Sequence, residues 1–176
     1  MFLSKEEIIE RIKNGDLTIE PFDERMVGPD SIDLTLDRVF LIARQRGMVD
    51  ARQPLEFFDH VEDDEIILRP GDFVLGSTAE RIGLSNDLIG FLHGRSSLGR
   101  LGIMVHVTAG IVHAGFGHRE PSKLTLEIYS VNPNPVMLHS GMRVAQLAFA
   151  KLGKETLGYD YLPGSRYIGQ QGPRAP

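Results

Sequence analysis

Cysteine is absent from all 176 residues, which removes disulfides, cysteine nucleophiles and every thiolate zinc site. A basic excess is missing too. The formal net charge is −5 and the sequence pI is near 5.7, the opposite of the positive footprint of a DNA- or RNA-binding domain. An anionic ligand therefore has to be held by a local cluster of positive charge. The chain also lacks the ~20 consecutive apolar residues of a membrane span. Its longest uncharged run, Leu101 to Phe116, is interrupted by Gly102, His106, Thr108, Gly110, His113 and Gly115, and reads as buried strand and turn. The start, Met1 to Glu10, carries Lys5, Glu6, Glu7 and Glu10 without the apolar block of a secretory signal. The cytoplasm is the expected compartment, with neither nucleic acid nor membrane as a partner.

What is present points to one domain over residues 1–176, because a chain of this size can bury roughly 70% of its unfolded surface. Ser4 and Glu7 form a capping-box pattern, and Ile8, Ile9 and Ile12 recur at helical spacing up to Gly15, so a short N-terminal helix is expected. The period then changes to two. Ile32, Leu34 and Leu36 alternate with polar residues, and short runs follow at Val39–Ala43, Glu65–Leu68, Phe73–Ser77, Leu88–His93, Lys123–Tyr129 and Val144–Ala150. Turn signals separate them, such as Pro70-Gly71-Asp72 and Asn132-Pro133-Asn134-Pro135. Many short strands with Gly/Pro turns predict a mostly antiparallel jelly roll or barrel. Asp50 to Glu65, acidic and carrying Phe57 and Phe58, reads as a surface excursion. Residues 153–176 read as a C-terminal arm, too rich in tyrosine for a featureless tail.

The candidate chemistry begins at Gly94 to Arg100. Arg95, Ser96, Ser97, Gly99 and Arg100 within one turn supply the charge-assisted, hydroxyl and open backbone donors that a polyphosphate needs. A solvated loop on a sheet edge is the competing reading. Downstream, Glu127 sits between Leu126 and Ile128 in an apolar strand. If those neighbours face the core, alternation places Glu127 on the opposite face. There it is an ordinary surface glutamate unless a ligand or a second subunit covers it, in which case it can act as a general acid and base. His106, His113 and His118, with Glu120 close behind, invite a metal reading. Their seven- and five-residue gaps are not those of a metal-binding cupin barrel, so no protein-ligated metal is expected.

These segments together resemble a known family. Gly94 to Gly102, Thr108-Ala109-Gly110, Gly115-Phe116, Thr125-Leu126-Glu127, Gly141-Met142 and Gln146-Leu147 are similar, in order, to the dCTP deaminases of the trimeric dUTPase-like superfamily. The likeness extends to Ser31-Ile32-Asp33-Leu34, to Pro70 through Gly76, and to Ser165-Arg166-Tyr167 and Gly169-Gln170. The resemblance implies a distorted jelly-roll-like β-barrel of the dUTPase type, and a homotrimer with active sites at subunit interfaces. It implies a hydrolase acting on a cyclic amidine C–N bond, which turns dCTP into dUTP and ammonia without zinc and feeds dUMP and thymidylate synthesis. Mg2+ would enter bound to the nucleotide's triphosphate, and dTTP is a candidate inhibitor. The missing cysteines agree, since a zinc deaminase needs a His/Cys/Cys or Cys₃ cage.

By position, the resemblance makes Glu127 the proton shuttle, with Ser96 and Arg100 beside it in the catalytic group. Arg95, Ser96, Ser97, Leu98, Gly99 and Arg100 match the segment around phosphates and water. Thr125 and Leu126 match backbone contacts to the base, and Gln146 a pocket residue. Tyr159, Arg166 and Gln170 match an arm over the triphosphate. Three departures stand out. His113 occupies the place of an aspartate that touches the deoxyribose and, in dUTPases, helps activate the water that attacks phosphate. Gly117 to Ser122 reads as a longer turn, and Arg166 replaces a lysine. A dUTPase or a bifunctional enzyme releasing pyrophosphate is the alternative, and a non-catalytic nucleotide-binding homologue a further one.

Overall fold

The computed structural model describes residues 1–44, 47–52 and 58–176. Helix α1 (Lys5–Asn14) has the capping box that its sequence predicts. The Ser4 hydroxyl accepts the Glu7 N–H, and the Glu7 carboxylate accepts the Ser4 N–H at 2.8 Å. Gly15, at φ 78°, ends the helix in the left-handed conformation that glycine adopts without strain. Only Ile8 is fully buried, so the helix docks along one edge.

Every strand pairing among the described residues is antiparallel. The longest strand, β6 (Phe73–Leu84), pairs with β1 (Leu17–Glu20), β3 (Val39–Ala43) and β10 (Ser122–Ser130). With β4 (Phe58–Glu62) and β8 (Ile103–Met104) these make a six-stranded sheet. A four-stranded sheet runs β2 (Ser31–Thr35), β12 (Arg143–Lys151), β7 (Leu88–Gly94) and β9 (Ile111–Val112). Strands β5 (Glu65–Leu68) and β11 (Val136–His139) form a separate pair. The inward residues of all three sheets meet in one core that includes Leu34, Leu68, Ile82, Leu126, Ile128, Leu147 and Phe149. Each large side chain so buried stabilises the fold by ~1.5–3 kcal/mol. The chain is thus mostly β with a short N-terminal helix.

Three expectations need correction. The strand predicted to stop at Ser77 runs on to Leu84, because the charged Glu80 that interrupts its alternation is itself buried. The Glu80 carboxylate accepts the Thr35 N–H at 2.9 Å and the Thr35 hydroxyl at 2.7 Å. The supposed surface excursion contains β4, paired with β3 from Val39↔Glu62 to Ala43↔Phe58; Phe57 lies outside the described residues. The run from Leu101 to Phe116 is buried only at intervals. Ile103, Val105, Val112, Ala114 and Phe116 face inward, while Leu101, Met104, Val107 and Ile111 are exposed.

Candidate active site

Strand β10 sets the geometry. Ser122, Leu124, Leu126, Ile128 and Ser130 point into the core, which leaves Lys123, Thr125, Glu127 and Tyr129 on the other face. Glu127 is half-buried there. Its Oε2 accepts the Val107 N–H at 2.8 Å and the Thr108 N–H at 3.4 Å, so the 105–109 segment orients the carboxylate. The group lines a cavity of about 390 Å³ together with Leu75, His106, Thr125, Tyr167, Gln170 and Arg174. That volume falls within the ~300–1,000 Å³ of small-molecule sites.

The cover over Glu127 comes from the chain's own C-terminal arm, not solely from a ligand or a second subunit as the sequence suggested. The Lys123 N–H donates to the Gln170 carbonyl at 2.9 Å. The Gln170 amide donates to the Lys123 carbonyl and to the Thr125 hydroxyl. The Arg174 N–H reaches the same hydroxyl at 3.3 Å, while its guanidinium donates to the Arg166 carbonyl at 2.8 Å. Gln170 is therefore buried against Thr125, the second residue before Glu127 on the strand, and Arg166 stays exposed.

The arginine turn lies elsewhere. Arg95 precedes α2 (Ser96–Gly99), whose Leu98 is buried and roots the turn in the core, while Ser96, Ser97, Gly99 and Arg100 are exposed. Arg95 Nε lies 3.2 Å from Asp33, which also holds Arg143 at 3.0 Å. Gln146 faces Asp33 on β2 and His93 on β7 across the four-stranded sheet. Among the described residues, neither this group nor His113 nor Tyr159 lines the Glu127 cavity. Leu126, fully buried, offers the site its backbone only. One copy of the chain thus leaves the arginine turn, which joins β7 to β8, outside the Glu127 cavity.

The histidines do not converge. His106 packs edge-on to His93, with its Nδ1 buried and unpartnered beside the Glu127 cavity. His113 stacks on Tyr159 with ring centres 6.0 Å apart, and His118 leans on Tyr161. His106, Tyr167 and Arg174 are polar cavity residues to which sequence reasoning gave no role in nucleotide chemistry. The tyrosines of the arm and the Ser165-Arg166-Tyr167 likeness were the signals for Tyr167, and none pointed to Arg174.

The dCTP deaminase-like family profile matches residues 2–152. A dCTP deaminase from Natronomonas pharaonis is 43% identical, covering 99% of this chain and 93% of its own. An enzyme from Dictyoglomus thermophilum described as dCTP deaminase, dUMP-forming, is 41% identical over the same shares. Among solved structures, the 2'-deoxycytidine 5'-triphosphate deaminase of Agrobacterium tumefaciens superposes with a TM-score of 0.67 at 24% identity. That match covers 86% of this chain and 48% of that one. A mutant dUTPase from phage phi11 of S. aureus, which coordinates a structural Mg(II) ion, shares the fold more loosely, with a TM-score of 0.51 at 11% identity over 80% of this chain and 94% of its own. Motif order, site geometry and these likenesses agree, and the chain belongs to the dCTP deaminase family on a dUTPase-like fold.

Proposed function

We propose that this chain hydrolyses the exocyclic amino group of dCTP, releasing ammonia and dUTP, at sites that combine Glu127 of one copy with the arginine turn of another in a homotrimer. The observation that carries the reading is Glu127 itself. It is a carboxylate on the non-core face of β10, aimed by two backbone N–H groups into a covered cavity large enough for a nucleobase. Water adds to C4 of the cytosine as Glu127 takes one of its protons and passes it to the ring nitrogen. Glu127 then takes the proton left on the C4 hydroxyl and hands it to the departing amino group, the C4–N bond breaks, ammonia leaves, and the C4 carbonyl of uracil forms. Ser96 and Arg100 of the second copy orient the water and stabilise the charge that develops. Arg95, Ser97, Tyr159 and Arg166 hold the triphosphate, which brings its own Mg2+, while Gln170, whose amide N–H groups go to Lys123 and Thr125, closes the arm onto β10 instead of meeting phosphate. His113 beside Tyr159 takes the sugar. The cytoplasm, where nucleotide pools lie, is the compartment we assign.

A second reading has a specific support: several relatives, including that of Dictyoglomus thermophilum, are described as dUMP-forming. Against it stands position 113, where a histidine stacked on Tyr159 supplies no carboxylate to activate water for attack on phosphorus. Incubation with dCTP and Mg2+, scoring ammonia and pyrophosphate separately, decides. Ammonia without pyrophosphate is the expected result. Equal amounts of both establish the bifunctional reading, and no ammonia at all overturns the deaminase.

A further inference from the structure

Asp160 is 3% exposed, and none of the chemistry above uses it. Its Oδ1 accepts the Gly117 N–H at 3.1 Å and its Oδ2 accepts the Arg119 N–H at 3.1 Å. These donors belong to the turn between β9 and β10. On the same short segment the Tyr159 N–H donates to the Ala114 carbonyl at 2.7 Å, and the Asp160 N–H to the Gly115 carbonyl at 3.4 Å. The turn is also pressed against β6, which Gly117, at φ 64°, permits by having no side chain. A Cβ there would stand 2.0 Å from the Ile82 carbonyl.

We infer that Asp160 is a positioning residue, a clamp that ties the root of the C-terminal arm to the turn from which the Glu127 strand begins. A buried carboxylate that accepts two N–H bonds is far stronger as a tether than a neutral side chain in the same place. It fixes Tyr159 against His113 and Phe116 on one side, and the entry of the chain into β10 at Ser122 on the other. The far end of the arm is tied to the same strand through Gln170 and Arg174. The arm and the catalytic strand are therefore held as one unit with two fastenings, and Asp160 is the one remote from the cavity. Its removal loosens both the arm's root and the 117–121 turn, because one side chain holds them both.

The test is limited trypsin digestion of the full chain without nucleotide, read by mass spectrometry, for wild type, Asp160→Asn and Asp160→Ala. Cuts after Arg119 and after Arg166 should accelerate together, by about tenfold or more in Asp160→Ala, since cleavage tracks the population of the open form. Cutting after Lys13 in α1 should stay as it was. Asp160→Asn keeps one acceptor and should fall between, and it decides the matter alone if the alanine variant does not fold. Unchanged cutting at Arg119 and Arg166, or equal acceleration at Lys13, overturns the clamp. The effect on turnover rests on the proposed function. There Asp160→Asn should raise KM for dCTP several-fold more than it lowers kcat, through Tyr159. An unchanged KM overturns the link to the nucleotide. Digestion needs no substrate, so a wrong substrate assignment would leave its result intact.

Discussion

If the carboxylate and arginine halves come from different copies of the chain, two inactive variants should rescue each other. Glu127→Gln keeps an oxygen able to accept the Val107 N–H, now held at 2.8 Å, so the 105–109 segment stays in place. The Thr108 N–H, at 3.4 Å, donates to the same oxygen, so both contacts can be kept and the structural loss stays below the ~0.5–1.5 kcal/mol of a typical net hydrogen bond. Turnover should nevertheless fall about 10²–10⁴-fold, the usual worth of a positioned general acid or base. Arg100 is exposed at the end of α2, so Arg100→Ala should change stability by no more than about 0.5 kcal/mol. Its turnover should fall about 10²–10³-fold, as when one donor to developing charge is lost. Co-expressed at equal levels, the two variants mix at random around a closed ring. A site is intact when the copy giving Glu127 carries only the arginine change and its neighbour carries only the glutamate change. With each condition met half the time, about one quarter of sites are intact, and ammonia release should recover to about one quarter of wild type. A mixture as inactive as its parents, with mixed assemblies verified by differential tags, refutes shared sites and places both halves on one chain.

Two further outcomes follow from particular residues. Burial of Asp87 by itself would raise its proton affinity, but hydrogen bonds from Ser85 and Arg11 and the Arg11 charge outweigh it, and the carboxyl is held below its ordinary value. Its contribution to stability is therefore full above the unfolded-state value near ~4 and is lost as pH falls through the folded-state value. Thermal melts taken from pH 7 down to strong acid should show wild type losing stability more steeply than Asp87→Asn below that point, and parallel curves would remove Asp87 from the account. Gly117→Ala should destabilise the fold by more than about 2 kcal/mol, combining a left-handed backbone with a Cβ driven into the Ile82 carbonyl. A denaturation midpoint equal to wild type would show that the turn can shift aside.

How much of this was legible in the sequence depends on how local the cause is. The capping box of α1, the strand Val39–Ala43 and the strand Glu65–Leu68 follow from neighbours a few residues apart, and the structure places their ends where the pattern did. The second half of β6 was hidden because Glu80 looks like a surface charge, and only Thr35, 45 residues away, explains its burial. Strands β8 and β9 are two residues long and owe their existence to partners on other strands, Met104 to Tyr129 and Ile111 to Phe91. No window of sequence contains that information.

The same division separates Glu127 from its cover. Alternation along β10 was enough to put Glu127 on the face away from Leu126 and Ile128, because the period of a strand is fixed by backbone geometry. What makes that face chemically useful is its cover, and the cover is non-local: Gln170 and Arg174 reach Thr125 from about one quarter of the chain length away. Loop closure over that span adds little entropy compared with a shorter loop, since the cost grows only with the logarithm of length. The arm must therefore be held by specific bonds, and those bonds fall on Lys123 and Thr125 at one end and on Gly117 and Arg119 at the other. They flank the approach to Glu127 without touching it. The two N–H donors that aim the carboxylate, from Val107 and Thr108, belong to neither fastening. Cover and orientation of the acid are thereby assigned to different segments of the chain.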